Sequence, residues 1–288
     1  MDPDPATPPT EGAAASPAPS SSSSLILLGT GCSGALPDAR CLIQPSAPPC
    51  AACSTALSLT PDQNPNYRCN TSLLIDYCHD NGTHKHILID VGKTFREQVL
   101  RWFVHHKVPS IDSCIHCVIF AANFYSVAAR FPYLVKQKLQ EGDELARAAQ
   151  PDWRIIDGDV ENPFVASGLE FLPLPVMHGE DYVCLGFLFG RKARVAYLSD
   201  VSRILPRTEY AISKSGAGQL DLLILDTNRL NGESLDTVKR ICPRKALLIG
   251  MNHEFEHHRE NQMLAGWSRR EGIPVQLAHD GLRIFIDL

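Results

Sequence analysis

Three residues of metal-binding type each stand close behind a short apolar run. His178 follows LEFLPLPVM, Asp200 follows RVAYLS and His253 lies just beyond ALLIGM. If these runs are strands, their ends can converge at one edge of a sheet, where histidine and aspartate suit zinc or a similar divalent ion. Taken singly, each residue would more often be a cap, turn or surface residue. It is the repeated placement that predicts a metal site.

Strand-length apolar runs, most of them bounded by Gly, Asp or Asn, would position these residues. They lie at 25–29, 72–77, 86–91, 114–120, 169–177, 184–190, 194–199, 220–226, 246–251 and 282–287. The turn-rich segments CHDNGTHK and GRKA predict two hairpins, one joining the runs at 72–77 and 86–91 and one joining those at 184–190 and 194–199.

Helices are predicted at 93–106, 133–150, 234–241 and 258–272. In the first of these, Phe95, Val99, Trp102 and Phe103 fall on one helical face. Strands dominate the first half of the chain and then alternate with helices. This order favours an α+β arrangement of packed sheets with helices outside.

Composition and charge exclude several classes of protein. The 288 residues carry a net charge of −5, which disfavours broad electrostatic binding to nucleic acid or to an anionic membrane. The sequence has no run of 18 apolar residues, so no membrane-spanning helix is predicted. Residues 1–24, rich in Pro, Ala and Ser, are predicted to be disordered, and residues 25–288 to form the folded domain. This stretch resembles neither a secretory signal nor a transit peptide, so we expect a reducing compartment, the cytoplasm with the nucleus not excluded.

A glycine-rich turn follows the first predicted strand. Residues 29–34 spell GTGCSG, which matches the GxGxxG pattern of dinucleotide-binding proteins. That function requires a helix to begin at the turn, and Pro37, Pro45, Pro48 and Pro49 oppose one. We therefore interpret the segment as a turn that lets the backbone pass close to another element.

Six segments occur in an order that resembles the metallo-β-lactamase superfamily: LGTGCSGALP, NTSLLID, ILIDVGKTFREQ, PLPVMHGEDY, VAYLSDVS and LLIGMNHE. The resemblance runs from about Leu25 to Leu288. Within the superfamily it is closest to the phosphoribosyl cyclic phosphate phosphodiesterase-like branch, plant members included. It implies an αββα sandwich with a dinuclear metal site at the sheet edge and a small-molecule phosphoester as substrate.

The resemblance also implies a role for each candidate residue. His178 would bind one catalytic metal, Zn²⁺ or Mn²⁺, Asp200 would bridge both metals, and His253 would bind the other. Asp90, in LIDVG, would orient the ligands from behind, the usual support for such sites. Asp200 is the residue on which catalysis would depend most.

The same branch holds a structural zinc with three early cysteines and a late histidine. The candidates here are Cys41, Cys50, Cys53 and His257. The C-x₂-C spacing of Cys50 and Cys53 lets two thiolates reach one tetrahedral ion. The alternative is a set of ordinary reduced cysteines in a proline-rich loop.

The superfamily's HxHxDH motif is missing from this sequence. Where it is expected, after the strand that follows FREQ, the chain reads CVIFAANFYSVAARFPYL, and the loop after LLILDT is shortened. We therefore expect a partly truncated fold. Cys114, His116 and Cys117 could be substitutes, but on a strand Cys114 and His116 face one side and Cys117 the other, which favours packing over ligation.

Two functions follow from this pattern. In the first, the chain is a metal-dependent phosphodiesterase whose activity is weak or lost, because the aspartate that would handle protons is absent. In the second, it is an inactive zinc-stabilised scaffold, or a splice or gene-model variant. A tRNA 3′-end nuclease shares the fold but is disfavoured by the acidic balance. The substrate and the oligomeric state, a homodimer included, stay open.

Overall fold

The computed structural model describes residues 22–116, 156–227 and 232–288. The helix predicted at 133–150, and the part of the apolar run 114–120 beyond His116, lie outside these residues. So does the predicted disordered tail up to residue 21. Ser24 already belongs to the first strand, and the Ser23 hydroxyl accepts a hydrogen bond from the Cys78 backbone amide at 3.0 Å. The first strand thus begins at Ser24.

Two sheets form the centre of the molecule. The first sheet has the strand order β13-β1-β2-β3-β4, and the second has the order β12-β11-β10-β8-β7-β6-β5, with β9 paired to β6. The strands of the first sheet are β1 (Ser24–Gly29), β2 (Ser72–Cys78), β3 (His84–Ile89), β4 (Ser113–Ile115) and β13 (Arg283–Phe285). The strands of the second are β5 (Phe164–Ala166), β6 (Leu169–His178), β7 (Tyr182–Phe189), β8 (Val195–Leu198), β9 (Arg203–Ile204), β10 (Leu222–Asp226), β11 (Ala246–Ile249) and β12 (Val275–Leu277).

Both predicted hairpins are confirmed. β2 pairs antiparallel with β3, with Leu73 opposite Ile89, and β7 pairs antiparallel with β8, with Phe187 opposite Tyr197. By contrast, β8, β10, β11 and β12 run parallel, so the carboxyl ends of β8, β10 and β11 meet at one edge of the second sheet. Asp200, Asp226 and Gly250 lie at or just beyond those ends.

Helices cover the outer faces. The helical segment after β3 is α3 (Phe95–Gln98), a π-helical stretch (Val99–Phe103) and α4 (Val104–His106). The second sheet is covered by α5 (Pro206–Ile212), α6 (Gly232–Ile241) and α7 (His257–Glu271). Two short helices, α1 (Ala39–Ile43) and α2 (Ala51–Ala56), lie in the proline-rich segment.

Three apolar layers hold these elements together. The first lies between the sheets and includes Leu27, Ile89, Phe187 and Ile249, all less than 1% exposed. A second packs α5, α6 and α7 onto the other face of the second sheet. The third packs Phe95 and Trp102 onto the first sheet, as the helical periodicity predicts. The result is the expected αββα order of layers.

One local feature differs from expectation. The glycine-rich turn starts no dinucleotide-type helix, as predicted, but the five-residue α1 does form between Pro37 and Pro45, where Asp38 caps it. Such a helix needs only one turn free of proline.

In the part of the chain described here, no helix has both the length and the apolar character required to span a bilayer.

Candidate metal centre

Three thiols and one imidazole come together in a partly buried position just beyond the end of β11. One ligand atom each from Cys41, Cys50, Cys53 and His253 lies within 4.8 Å of all the others. His253 Nδ1 is 3.4 Å from Cys41 Sγ and 3.6 Å from Cys50 Sγ. We refer to these four residues as the thiol cluster. Three thiolates and one imidazole are a donor set for a closed, tetrahedral zinc site, so the residues present fit this ion.

Short helices place the thiols. Cys41 lies in α1, whose cap Asp38 accepts a hydrogen bond from the Arg40 backbone amide. Cys50 precedes α2 as its cap residue, and Cys53 lies buried within α2. The Asp38 backbone amide donates to Cys53 Sγ at 3.3 Å, which joins the two helices. The prolines between them favour an extended connection that brings both helices to one point.

The thiols differ in how readily they ionise. Burial raises the pKa of the Cys53 thiol to about 12 and also raises that of Cys41. Burial acts the same way on Cys50, but hydrogen bonds from the Cys53 backbone amide and with His253 outweigh it, so the pKa of Cys50 lies below its usual value. The charge of a bound divalent cation would favour the thiolate forms of Cys41 and Cys53, whose pKa values are raised.

His257 does not lie in the thiol cluster, contrary to the expectation from the sequence. It is the first residue of α7, its backbone amide donates to Asn66 Oδ1 at 2.9 Å, and its Nε2 lies 3.0 Å from Asn261 Nδ2. His253 lies in the turn before α7 and takes the place beside the thiols. The C-x₂-C pair and Cys41 are thus brought together as expected, but with a different histidine.

His178, Asp200 and Asp90 lie near one another where the two sheets meet; we call them the sheet-edge group. Burial and the charge of Asp90 raise the pKa of the Asp200 carboxyl, while the nearby His178 lowers it. Asp90 has a φ of 66° and accepts a hydrogen bond from the Ser199 hydroxyl at 3.0 Å. His178 ends β6 and Asp200 follows β8, as the sequence predicts.

The sheet-edge group does not gain its expected third ligand. His253 Nδ1 faces the thiols instead, and residues 22–116, 156–227 and 232–288 contain no second group of three ligands as close together as the thiol cluster. The described residues at this edge therefore do not fit a dinuclear metal pair.

Asp226 is a residue at this edge that the sequence interpretation missed. It ends β10, and one carboxylate oxygen accepts from the Val201 backbone amide at 3.4 Å. A Cβ at Gly250, which follows β11 with a φ of 73°, would collide with the other oxygen. The signal was present in the sequence, because LLILD ends in an aspartate just as AYLSD does. Its carboxylate fills the space where a side chain after β11 would stand.

Cys114 and His116 share one face of the chain around β4, as predicted. Cys114 Sγ lies 3.6 Å from His116 Nε2, while Ile115 between them is buried in the core. Burial lowers the pKa of His116. Cys117 lies outside the described residues. Among the described residues only these two ligand atoms are in contact at this point, which is fewer than a metal site needs.

His257 gives the protein a predicted sensitivity to acid. Burial and the nearby charge of Arg68 lower the pKa of His257 to about 3, against 6.5 for the free side chain. A histidine that stays neutral in the folded state but ionises in the unfolded state stabilises the fold above pH 6.5 and loses that contribution as pH falls toward 3. Between pH 7 and pH 5 we expect His257 to account for a loss of about 2 kcal/mol.

This can be measured by urea unfolding of His257→Gln at both pH values. The variant should lose less stability than the wild type over this interval, and His258→Gln, at the exposed neighbouring position, should behave like the wild type. Zinc release at low pH would affect all three proteins alike, so the difference between them carries the prediction. Equal losses in His257→Gln and the wild type would contradict it.

No family model and no curated protein matches the chain, but solved structures do. A diphosphatase from the PhnP family superposes with a TM-score of 0.65 at 22% identity, covering 92% of this chain and 98% of its own. Zn²⁺-bound PqqB from Methylobacterium extorquens gives 0.63 at 15%, covering 91% and 100%. The metallo-β-lactamase fold protein YhfI from Bacillus subtilis gives 0.55 at 12%, covering 92% and 100%. The chain therefore has the metallo-β-lactamase fold.

Proposed function

We propose that this chain is a zinc-stabilised protein of the metallo-β-lactamase fold whose phosphodiester-hydrolysing centre is reduced, so that hydrolysis is weak or lost. The observation that carries this proposal is the position of His253. It lies with three thiols rather than with His178 and Asp200. One zinc ion is thereby favoured at the thiol cluster, and the sheet-edge group is left with too few ligands.

The zinc would act on folding rather than on a substrate. Four protein ligands leave no open position on a tetrahedral ion, which is the mark of a structural site. The ligands come from residues 41–53 and from residue 253, so the ion would fasten the proline-rich segment to the second sheet. Because the ligand set does not form in an unfolded chain, its binding free energy contributes to folding.

Any hydrolytic activity that remains would take place at the sheet-edge group. The likeness to a diphosphatase supports a small-molecule phosphoester, with Asp200 and His178 as the residues that would hold Zn²⁺ or Mn²⁺. Sequence residues 117–155 contain no histidine that could restore the missing motif. A reducing compartment such as the cytoplasm agrees with a cluster of free thiols.

Metal content and turnover test the proposal together. Elemental analysis of the purified protein should find about one zinc per chain. That zinc should remain in His178→Ala and be lost in Cys50→Ser. Hydrolysis of bis-p-nitrophenyl phosphate with added Mn²⁺ or Zn²⁺ should be marginal at most. A wild-type chain without zinc, or robust turnover abolished by Asp200→Ala, would overturn the proposal.

A second candidate is an active hydrolase with a mononuclear site at the sheet edge. It is favoured by the electrostatic interactions of Asp200 with Asp90 and with His178. To hold one zinc and leave a position for water, this site would need a third ligand beside His178 and Asp200. This candidate requires a second metal equivalent that is lost in His178→Ala but kept in Cys50→Ser, which is the reverse of the behaviour expected for the structural zinc.

A further inference from the structure

Arg68 is a fully buried charged residue, with 0% of its surface exposed. Arginine is rarely buried unless its donors are paired, because removing the charge from water is costly. Burial lowers its pKa to about 10, against the opposing charges of Asp280 and Glu256, so the guanidinium stays protonated at neutral pH. The hydrogen bonds of the guanidinium must therefore offset the cost of burying this charge.

The guanidinium donates hydrogen bonds to the turn that carries His253. Nη1 donates to the Asn252 carbonyl at 3.3 Å and Nη2 donates to the Phe255 carbonyl at 3.0 Å. These two acceptors lie on either side of His253 along the chain. Nε donates to the Pro65 carbonyl at 3.2 Å, which anchors the other end of the fork. A planar group with several fixed donors can hold two carbonyls at once, which a lysine cannot reproduce.

The backbone of Arg68 reaches the thiol half of the cluster. Its carbonyl accepts from the Leu36 amide at 2.8 Å and its amide donates to the Leu36 carbonyl at 3.3 Å. Two residues further on, Asp38 caps the helix that carries Cys41 and donates its amide to Cys53 Sγ. One residue thus contacts both chain segments that supply ligands.

Asn66 completes this arrangement. Its Oδ1 accepts from Arg68 Nη2 at 3.2 Å and from the His257 amide at 2.9 Å, and its Nδ2 donates to Glu256 Oε1 at 2.7 Å. Arg68 and Asn66 therefore hold the turn of residues 252–257 at both ends. His253 has little freedom left in its backbone.

We infer that Arg68 is a positioning residue for the metal centre: it sets His253 against the three thiols and so raises the affinity for zinc. The inference rests on the proposed zinc site and adds a residue to it that offers no ligand. The buried positive charge also suits a site in which three thiolates and one Zn²⁺ leave a net charge of about −1. Groups that orient metal ligands from behind typically contribute 10- to 100-fold in affinity.

The test compares zinc affinity in Arg68→Lys and wild type by competition with a chromogenic chelator. Lysine keeps the charge but lacks the rigid planar donors that hold both carbonyls in a fixed geometry. We expect affinity about 10- to 100-fold weaker, and a shifted ligand-field spectrum in the Co²⁺-substituted protein. Arg283→Lys is the matched control, because Arg283 bonds Asp76 and Ser24 in the first sheet. It should bind zinc like the wild type.

A second comparison separates positioning from general packing. In a His253→Ala background, Arg68→Lys should have almost no further effect on zinc affinity, because the residue it positions is gone. Unchanged affinity in Arg68→Lys, or an equal loss with and without His253, would overturn the inference. If Arg68→Lys does not fold, Asn66→Ala gives the same comparison. A wild type that binds no zinc would instead contradict the proposed function.

Discussion

Chelation of zinc is expected to lower the free energy of unfolding of the wild-type protein by about 4 kcal/mol, relative to protein with free zinc at about 1,000 times the dissociation constant. The reason is that only the folded chain gathers Cys41, Cys50, Cys53 and His253 within 4.8 Å. An ion that binds the folded state and not the unfolded state shifts the equilibrium by mass action. Urea unfolding with and without chelator measures the difference.

Two cysteine variants make this result specific. In Cys50→Ser the chelator should change stability hardly at all, because a hydroxyl does not replace a thiolate at zinc. In Cys78→Ser, a free cysteine at the end of β2 and outside the thiol cluster, the full effect should persist. Stability that the chelator does not alter in the wild type would show that the cluster holds no structural ion.

Gly250→Ala is expected to destabilise the fold by about 3 kcal/mol. Part of this comes from the left-handed backbone, which disfavours a residue with a Cβ by about 1–2 kcal/mol. The rest comes from the collision of the new Cβ with the Asp226 carboxylate, an overpacking effect of about 1–3 kcal/mol. Thermal or urea unfolding of the variant gives the value directly.

Gly272→Ala separates the two causes. Gly272 ends α7 with a φ of 72°, nearly that of Gly250, but nothing lies within 4 Å of a Cβ placed there. It should show the backbone effect alone. Asp226→Ala should recover much of the additional loss when combined with Gly250→Ala. Equal losses of stability in the two glycine variants would mean that the Asp226 carboxylate moves aside at little cost. The end of β11 could then accommodate a side chain.

The sheets could be predicted well from the sequence because their signals are local. The runs SLLIDY and HILIDV, with a turn-rich segment between them, specify an antiparallel pair, and β2 and β3 form it. β5, β9 and β12 were missed because strands of two or three residues carry too short a pattern. Their pairing partners, rather than their own residues, determine them.

The candidate site was predicted only in part, because sequence spacing does not determine which of two histidines faces a ligand set. His253 and His257 are four residues apart, and either could have reached the thiols. Which histidine reaches the thiols depends on where α7 begins and on the hydrogen bond from the buried Arg68 to the preceding turn. That contact joins positions 184 residues apart and leaves no local pattern.

The thiol cluster also has a consequence for synthesis of the chain. Cys50 and His253 are 203 residues apart. At a translation rate of about 5 to 20 residues per second, a nascent chain offers its three thiols about 10 to 40 s before its histidine emerges. During that interval the thiols are open to oxidation or to stray metals. If the thiol cluster binds zinc as proposed, the ion would bind last, and the yield of metallated protein would depend on how well the cell protects the unfinished chain.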